Sequence, residues 1–373
     1  MKVMIFHASA GEGHRRAAMA VESALIRSGL SHDEIMTADA LDYSTPFFKK
    51  SYTGFYYWCV KNVPQAWGFF YDVLDHPVVY KLFYPLRQLY NTWNGHRLLE
   101  LVIEKKPQLV ICTHFFSAEI LGRAKKLGKI SSKILVLVTD FHPARVWIHE
   151  GIDLFWVLSE RGKMTLMDRG IFENKIIAGG FPIGIEFQRR GSKGAMLDRF
   201  QLEKNRLTIL MTTGSFGLGE QMQLLELLES VKDAIQCLVV CGRNESLQKE
   251  LSQKTFPYPV RVFGFVDFMT DLMDAADLMV AKPGGATTAE AMAKGLTMIA
   301  TGAIPGQETE NLTFLLEENA VFAAETPDEI LKVIQTILKN RNLLDEKRRA
   351  MDLICNPRAA EDLAQLRLKW IPN

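Results

Sequence analysis

Short apolar runs alternate with longer amphipathic stretches along this chain, and the alternation occurs twice. In the first half, predominantly apolar runs cover residues 2–7, 107–114, 134–139, 153–158 and 175–178. In the second they cover 206–213, 236–241, 260–266, 278–281 and 297–301. Runs this short and this rich in apolar residues predict strands buried on both faces, as in parallel sheets covered by helices. Helical spacing follows the first run, over 15–28, where Ala17, Ala18, Val21, Ala24 and Leu25 share a face. It returns after the later runs, over 327–351 and 357–370. Strand, helix, strand in both halves predicts an α/β fold of two doubly wound domains. A glycine-rich, basic connector (Gly179, Gly180, Gly184, Arg189, Arg190, Gly191, Gly194) separates them. The domains expected are therefore 1–185 and 186–356, with 357–373 a terminal helix.

The polar residues that end the strands carry the candidate chemistry. The stretch 277–316 reads as a strand, a Lys282-Pro283-Gly284-Gly285 turn and a helix from about Ala286, then a second strand and a helix from about Thr309. Glycines let the backbone approach a ligand closely. Thr287 and Thr288 place hydroxyls beside first-turn N–H groups that lack helical partners. Such a helix start favours phosphate. Glu290 follows, and Gln307 and Glu308 stand at the second junction. Hydroxyls and amides for phosphates, with carboxylate and carboxamide for sugar hydroxyls, make a nucleotide-sugar site; a plain α/β repeat with capped helices fits the same pattern. Near the N-terminus, Gly11, Gly13 and His14 form a glycine turn closing on a histidine, with Glu12 between. On the residues alone His14 reads equally as a helix cap. Asp140 and His142 follow the 134–139 strand, with Trp147 and His149 downstream; Asp140 reads equally as a turn cap.

Residues 43–97 differ in composition from the rest. Nearly half of the chain's Phe, Trp and Tyr residues fall here, with six Lys or Arg (Lys49, Lys50, Lys61, Lys81, Arg87, Arg97) against Asp72 and Asp75. Pro46, Pro64, Pro77 and Pro85 are expected to break the segment into short helices. Aromatic and basic together is the composition of a lipid-interface segment, and an aromatic-rich core under helices shares it. Tyr56, Tyr57, Trp58, Trp67, Phe69, Lys81 and Arg87 are the residues expected there.

Overall charge changes the picture little. With 48% apolar and 23% charged residues and a net charge of +1, the chain reads as folded and carries no global field for nucleic acid. Five scattered cysteines read as reduced thiols of a cytosolic protein. No run is long enough to span a bilayer, so membrane contact is expected to be peripheral, at the cytoplasmic face.

The wording KPGG-x-T-x-x-E-A-x-x-x-G followed by PGQE-x-x-N, the latter ending on Asn311, resembles the donor half of GT-B glycosyltransferases. The similar group is that of monogalactosyldiacylglycerol synthase and processive diacylglycerol glucosyltransferase, with the peptidoglycan transferase MurG more distant. The resemblance implies two Rossmann-like domains facing across a cleft. It implies that His14 in its Gly11-x-Gly13-His14 loop is the general base, with Asp140 and His142 orienting it or the acceptor hydroxyl. It implies that Gly11, Gly13, a second glycine loop with Ser215, the Phe265–Val266 turn, Gly284, Gly285, Thr287, Thr288, Glu290 and Asn311 bind the donor, and that Gln307 and Glu308 read its sugar. His142 and Trp147 would face the acceptor. UDP-glucose or UDP-galactose would be a substrate, so no cofactor and no protein-held metal is implied. The acceptor would be a diacylglycerol-type lipid on an anionic membrane, and the reaction an inverting one. A MurG-like transfer to a polyprenyl lipid, a UDP-N-acetylglucosamine 2-epimerase and a non-catalytic UDP-sugar sensor share the same fold.

Overall fold

The computed structural model describes residues 1–9, 11–212, 221–367 and 370, with the side chains of Thr53, Tyr56, Tyr57 and Lys61 set aside. Contacts divide the chain into two units: Met1–Gly184 with Ile304–Asn311 and Asn356–Asn373, and Ile185–Ala303 with Leu312–Cys355. The break after Gly184 falls in the connector. Ile304–Asn311, which the sequence pattern assigns to the second domain, packs with the first unit.

The first unit holds a six-stranded parallel sheet of β1 (Val3–His7), β2 (Ile35–Asp39), β3 (Leu109–Cys112), β4 (Lys133–Leu137), β5 (Leu154–Val157) and β6 (Ile176–Ala178). Their order is β2-β1-β3-β4-β5-β6. The second unit has β7 (Leu207–Thr212), β8 (Ile235–Val240), β9 (Val260–Phe263), β10 (Leu278–Ala281), β11 (Thr297–Ala300) and β12 (Phe322–Ala323), in the order β12-β11-β10-β7-β8-β9. Every pairing is parallel, as the apolar runs require. The pattern missed β2 and β12, and both lie at sheet edges. There one flank is open, so β2 (IMTAD) buries only its first residue fully and lacks an apolar run.

Strand order also decides where ligands can enter. In the first unit the chain leaves β1 for β2 on one side and then crosses to β3 on the other. In the second it leaves β7 for β8 and β9, then crosses to β10. Crevices at such reversals, outside the carboxyl ends of the strands, are where open α/β sheets bind ligands. His14 follows β1, Thr113 and His114 follow β3, and the Gly284–Gly285 turn follows β10.

Helix α1 (Glu12–Arg27) begins after Gly11, whose φ of 126° is a conformation that favours glycine. Three helices then start on a proline: α2 (Pro46–Asn62), α3 (Pro64–Asp75) and α4 (Pro77–Asn94). Proline suits that first position because its missing N–H would have no partner there. Pro85 departs from expectation, sitting inside α4 without ending it. After α5 (His96–Lys105), α6 (Phe115–Lys126) lies almost wholly buried on the sheet. The last helix, Ala359–Leu366, packs on α1 through an Arg27–Glu361 ion pair at 2.5 Å, and Arg367 donates to the Ser28 carbonyl at 3.0 Å. All five cysteines are free thiols. No helix among the described residues is long and apolar enough to cross a membrane.

Candidate functional site

His14 lies in the first turn of α1, 8% exposed. Its Nδ1 is 2.7 Å from the carbonyl oxygen of Thr113 and 3.0 Å from the Thr139 hydroxyl. A carbonyl can only accept, so Nδ1 carries the proton and Nε2 keeps a lone pair. The Thr113 hydroxyl donates back to the His14 carbonyl at 2.9 Å, so β3 grips the helix start twice. Burial, with a smaller push from His7, lowers the His14 pKa to about 4. The ring therefore stays neutral and basic throughout ordinary working pH.

Asp140, 5% exposed, follows β4. It does not touch His14. Its Oδ2 accepts the Trp147 indole N–H at 3.3 Å, and its Oδ1 accepts from the Gln307 amide. Burial raises its pKa to about 6, against the opposing effect of these two donors. His142 does not reach His14 either. Its Nε2 lies 3.1 Å from Arg169, which clamps Asp75 at the end of α3 with two hydrogen bonds, at 2.9 and 2.6 Å. The expected orienting roles of Asp140 and His142 toward His14 are thus filled by the Thr113 carbonyl and the Thr139 hydroxyl. Two expected donor-binding residues also have other partners: Asn311, buried, accepts the Phe141 N–H at 2.9 Å, and a Glu308 oxygen accepts the Ile304 N–H at 2.8 Å.

A cavity of 430 Å³ opens beside His14, entirely within the first unit. His14, His114, Asp140, Trp147 and Gln307 form its polar end, and Phe48, Phe55, Trp67, Phe70, Leu74 and Tyr90 from α2–α4 form apolar walls. Gly68 lets α3 approach the 304–306 turn, since a Cβ there would sit 2.5 Å from the Pro305 side chain. Outside the cavity the same helices expose Phe47 (78%), Leu82 (70%) and Trp93 (67%), along with Trp58, Phe69 and Lys81. More than half of the exposed large apolar side chains among the described residues sit on these three helices. Arg87 departs from its expected place at a lipid surface. Its guanidinium turns inward to the fully buried Glu119 at 3.3 Å and lies over the rings of Tyr80 and Tyr84. The side chains of Tyr56 and Tyr57 lie outside the described ones.

In the second unit the helix Gly285–Lys294 starts at Gly284 with no side-chain cap. Thr288 is buried, and its hydroxyl has no hydrogen-bond partner. Thr287 is half-buried, and Glu290 is buried. An uncapped helix start next to an unsatisfied buried hydroxyl suits an anionic ligand. Phe265 is 73% exposed with the Arg243 guanidinium 5.7 Å from its ring centre, and Val266 is half-buried beside it. Ser215 lies outside the described residues. Gly11 and Gly13 both face open space. Among the described residues no cluster of His, Cys, Asp or Glu could hold a metal ion.

Comparison with known proteins finds relatives for both halves of the chain. Residues 14–183 match the family model of monogalactosyldiacylglycerol (MGDG) synthase, and residues 208–365 match that of the glycosyltransferase family 28 C-terminal domain. A processive diacylglycerol beta-glucosyltransferase of Bacillus cereus is 28% identical over 365 residues, covering 97% of this chain and 92% of that protein. The protein of the same name from Bacillus thuringiensis matches to the same extent. Among solved structures, MurG of Acinetobacter baumannii superposes with a TM-score of 0.62 at 17% identity, over 99% of both chains. Anabaena HepE in complex with UDP-glucose superposes with a TM-score of 0.58 at 13% identity, over 100% of both. These neighbours establish the GT-B fold for both units.

Proposed function

We propose that the chain acts as a glycosyltransferase of the kind its two family matches describe, the monogalactosyldiacylglycerol synthase model over 14–183 and the family 28 C-terminal model over 208–365, and transfers a hexose from a UDP-sugar to a diacylglycerol-type lipid. The observation that carries this reading is the tautomer of His14: a bare Nε2 beside a cavity with apolar walls. A lipid alcohol fits there, its chains along α2–α4 and its hydroxyl against Nε2. The Bacillus relatives bear the name of that reaction.

In the proposed step, Nε2 takes the hydroxyl proton as the oxygen attacks the anomeric carbon and the bond to UDP breaks. Direct displacement inverts an α-linked donor to a β-glycoside. The N–H groups at the start of Gly285–Lys294 take the charge that develops on the departing diphosphate, without reorganising. Thr287, Thr288 and Glu290 hold the nucleotide, and Phe265 and Val266 hold the uracil. Gln307 reads the sugar with its carbonyl oxygen while Asp140 fixes its amide. The exposed aromatic and aliphatic side chains of α2–α4, with the exposed Lys50, Lys81 and Arg97, seat the protein on an anionic membrane surface.

The test is incubation with UDP-glucose and UDP-galactose in turn, in the presence of diacylglycerol vesicles, followed by NMR of the lipid product. A β-linked glycolipid from one of the donors is expected. An α-linked product would refute the inversion, and absence of any glycolipid would refute the transfer.

A further inference from the structure

His114 stands at the carboxyl end of β3, next in the chain to the carbonyl that His14 binds. Its Nδ1 accepts the backbone N–H of Phe116 at 3.1 Å and so caps α6. A ring nitrogen that accepts carries no proton. Burial keeps this imidazole neutral, with its pKa well below the ordinary value, so its one proton is on Nε2. His14 and His114 therefore hold opposite tautomers. One presents a lone pair at Nε2, the other an N–H.

The two rings meet edge to face with centroids 4.7 Å apart, and both line the cavity. Phe115, Tyr52 and Trp147 surround the His114 ring, at centroid distances of 4.0, 6.2 and 6.4 Å, and fix its direction. Among the described residues nothing accepts a hydrogen bond from its Nε2. A donor that opens on a cavity with apolar walls is poorly served there, so a ligand that brings an oxygen to it gains on binding. A base and a neutral donor side by side at the end of an apolar cavity match an alcohol with a second oxygen close to its hydroxyl. In a diacylglycerol that oxygen is the ester carbonyl on the adjacent carbon.

We infer that His114 determines specificity for the acceptor, its Nε2–H donating to an ester carbonyl next to the hydroxyl that His14 deprotonates. The inference rests on the lipid-transfer reading above. It implies that the enzyme distinguishes an ester-linked from an ether-linked glycerolipid of equal chain length, because the ether lacks the carbonyl. His114→Asn separates this role from the helix cap: the asparagine oxygen can still accept from Phe116, while the donor at Nε2 is gone.

The experiment measures kcat/KM of wild type and His114→Asn with matched diacylglycerol and dialkylglycerol vesicles and the working UDP-hexose. Wild type should favour the diester by about tenfold, the worth of one good hydrogen bond. The variant should lose that preference, its diester rate falling by about tenfold more than its diether rate. His114→Gln, whose longer amide restores a donor at similar reach, should recover part of it. A wild type that treats both lipids alike overturns the inference whether or not the variants fold. Equal losses on both lipids in His114→Asn also overturn it, since they would place the donor on the reacting hydroxyl or on the scaffold. A wild type that glycosylates neither lipid refutes the transfer itself, and this inference with it.

Discussion

Replacing His14 with alanine removes the one cavity group whose lone pair is freed by its own hydrogen bond. With its pKa lowered to about 4 the ring is deprotonated at neutral pH and free to accept a proton, so the contribution of a general base is lost in the variant. That contribution is about 10²–10⁴-fold in turnover. The Thr113 carbonyl loses its partner as well, at a cost of about 1–3 kcal/mol in stability. The residues proposed to bind UDP belong to the second unit, so UDP affinity should not change. Transfer of labelled hexose to vesicles gives the turnover, and calorimetric titration with UDP gives the affinity. The pH profile adds a second constraint. Since His14 titrates near 4, a fall in kcat/KM near pH 6 belongs to Asp140, whose ionised form accepts from both Gln307 and Trp147. Activity should fall as pH drops through about 6, and Asp140→Asn should remove that step. Turnover close to wild type in His14→Ala, or a step near pH 6 that persists in Asp140→Asn, would refute the reasoning.

Three further perturbations test the surrounding structure. Arg87→Ala strands the fully buried Glu119 and should destabilise by about 3–5 kcal/mol in urea unfolding, with much of the loss recovered by adding Glu119→Gln; a near-neutral single variant would contradict the inward placement. His14, His114 and His149 all have lowered pKa values in the fold, so below pH 6.5 the unfolded chain takes up protons that the native state refuses. Their stabilisation is complete above that pH and declines as pH falls toward about 4, by up to about 1.4 kcal/mol per unit for each group. Asp140, raised to about 6, and Glu119, also raised by burial, act in the opposite sense, their contribution being lost as pH rises through their folded pKa values; but His7 and His142 are lowered too, so two carboxyls stand against five imidazoles. The urea midpoint should therefore be lower at about pH 5 than at about pH 7, and a flat or inverted trend would disprove the burial of these rings. Finally, Phe47→Ser, Leu82→Ser and Trp93→Ser combined should reduce sedimentation with anionic vesicles while leaving UDP affinity intact; undiminished sedimentation would rule out α2–α4 as the lipid-facing surface.

Local sequence was enough for the frame. Ten apolar runs became ten of the twelve strands, because a parallel strand covered on both faces leaves a local signature that neighbours cannot alter. Gly11, with its φ of 126°, marked one turn, Gly284 and Gly285 stood at another, and Pro46, Pro64 and Pro77 marked three helix starts, where a missing N–H costs nothing. The two strands it missed, β2 and β12, left no such signature. Partnership, in contrast, came from the folded topology. His14 meets a carbonyl 99 residues away because β1 lies beside β3, and that placement selects its tautomer. The same crossover brings His114 edge-on to it, turning a helix cap into a cavity donor. Arg87 looked like a surface cation until α4 packed over Glu119. Periodicity reports which face of an element is buried, whereas the pairing of a donor with an acceptor depends on which elements the topology makes adjacent.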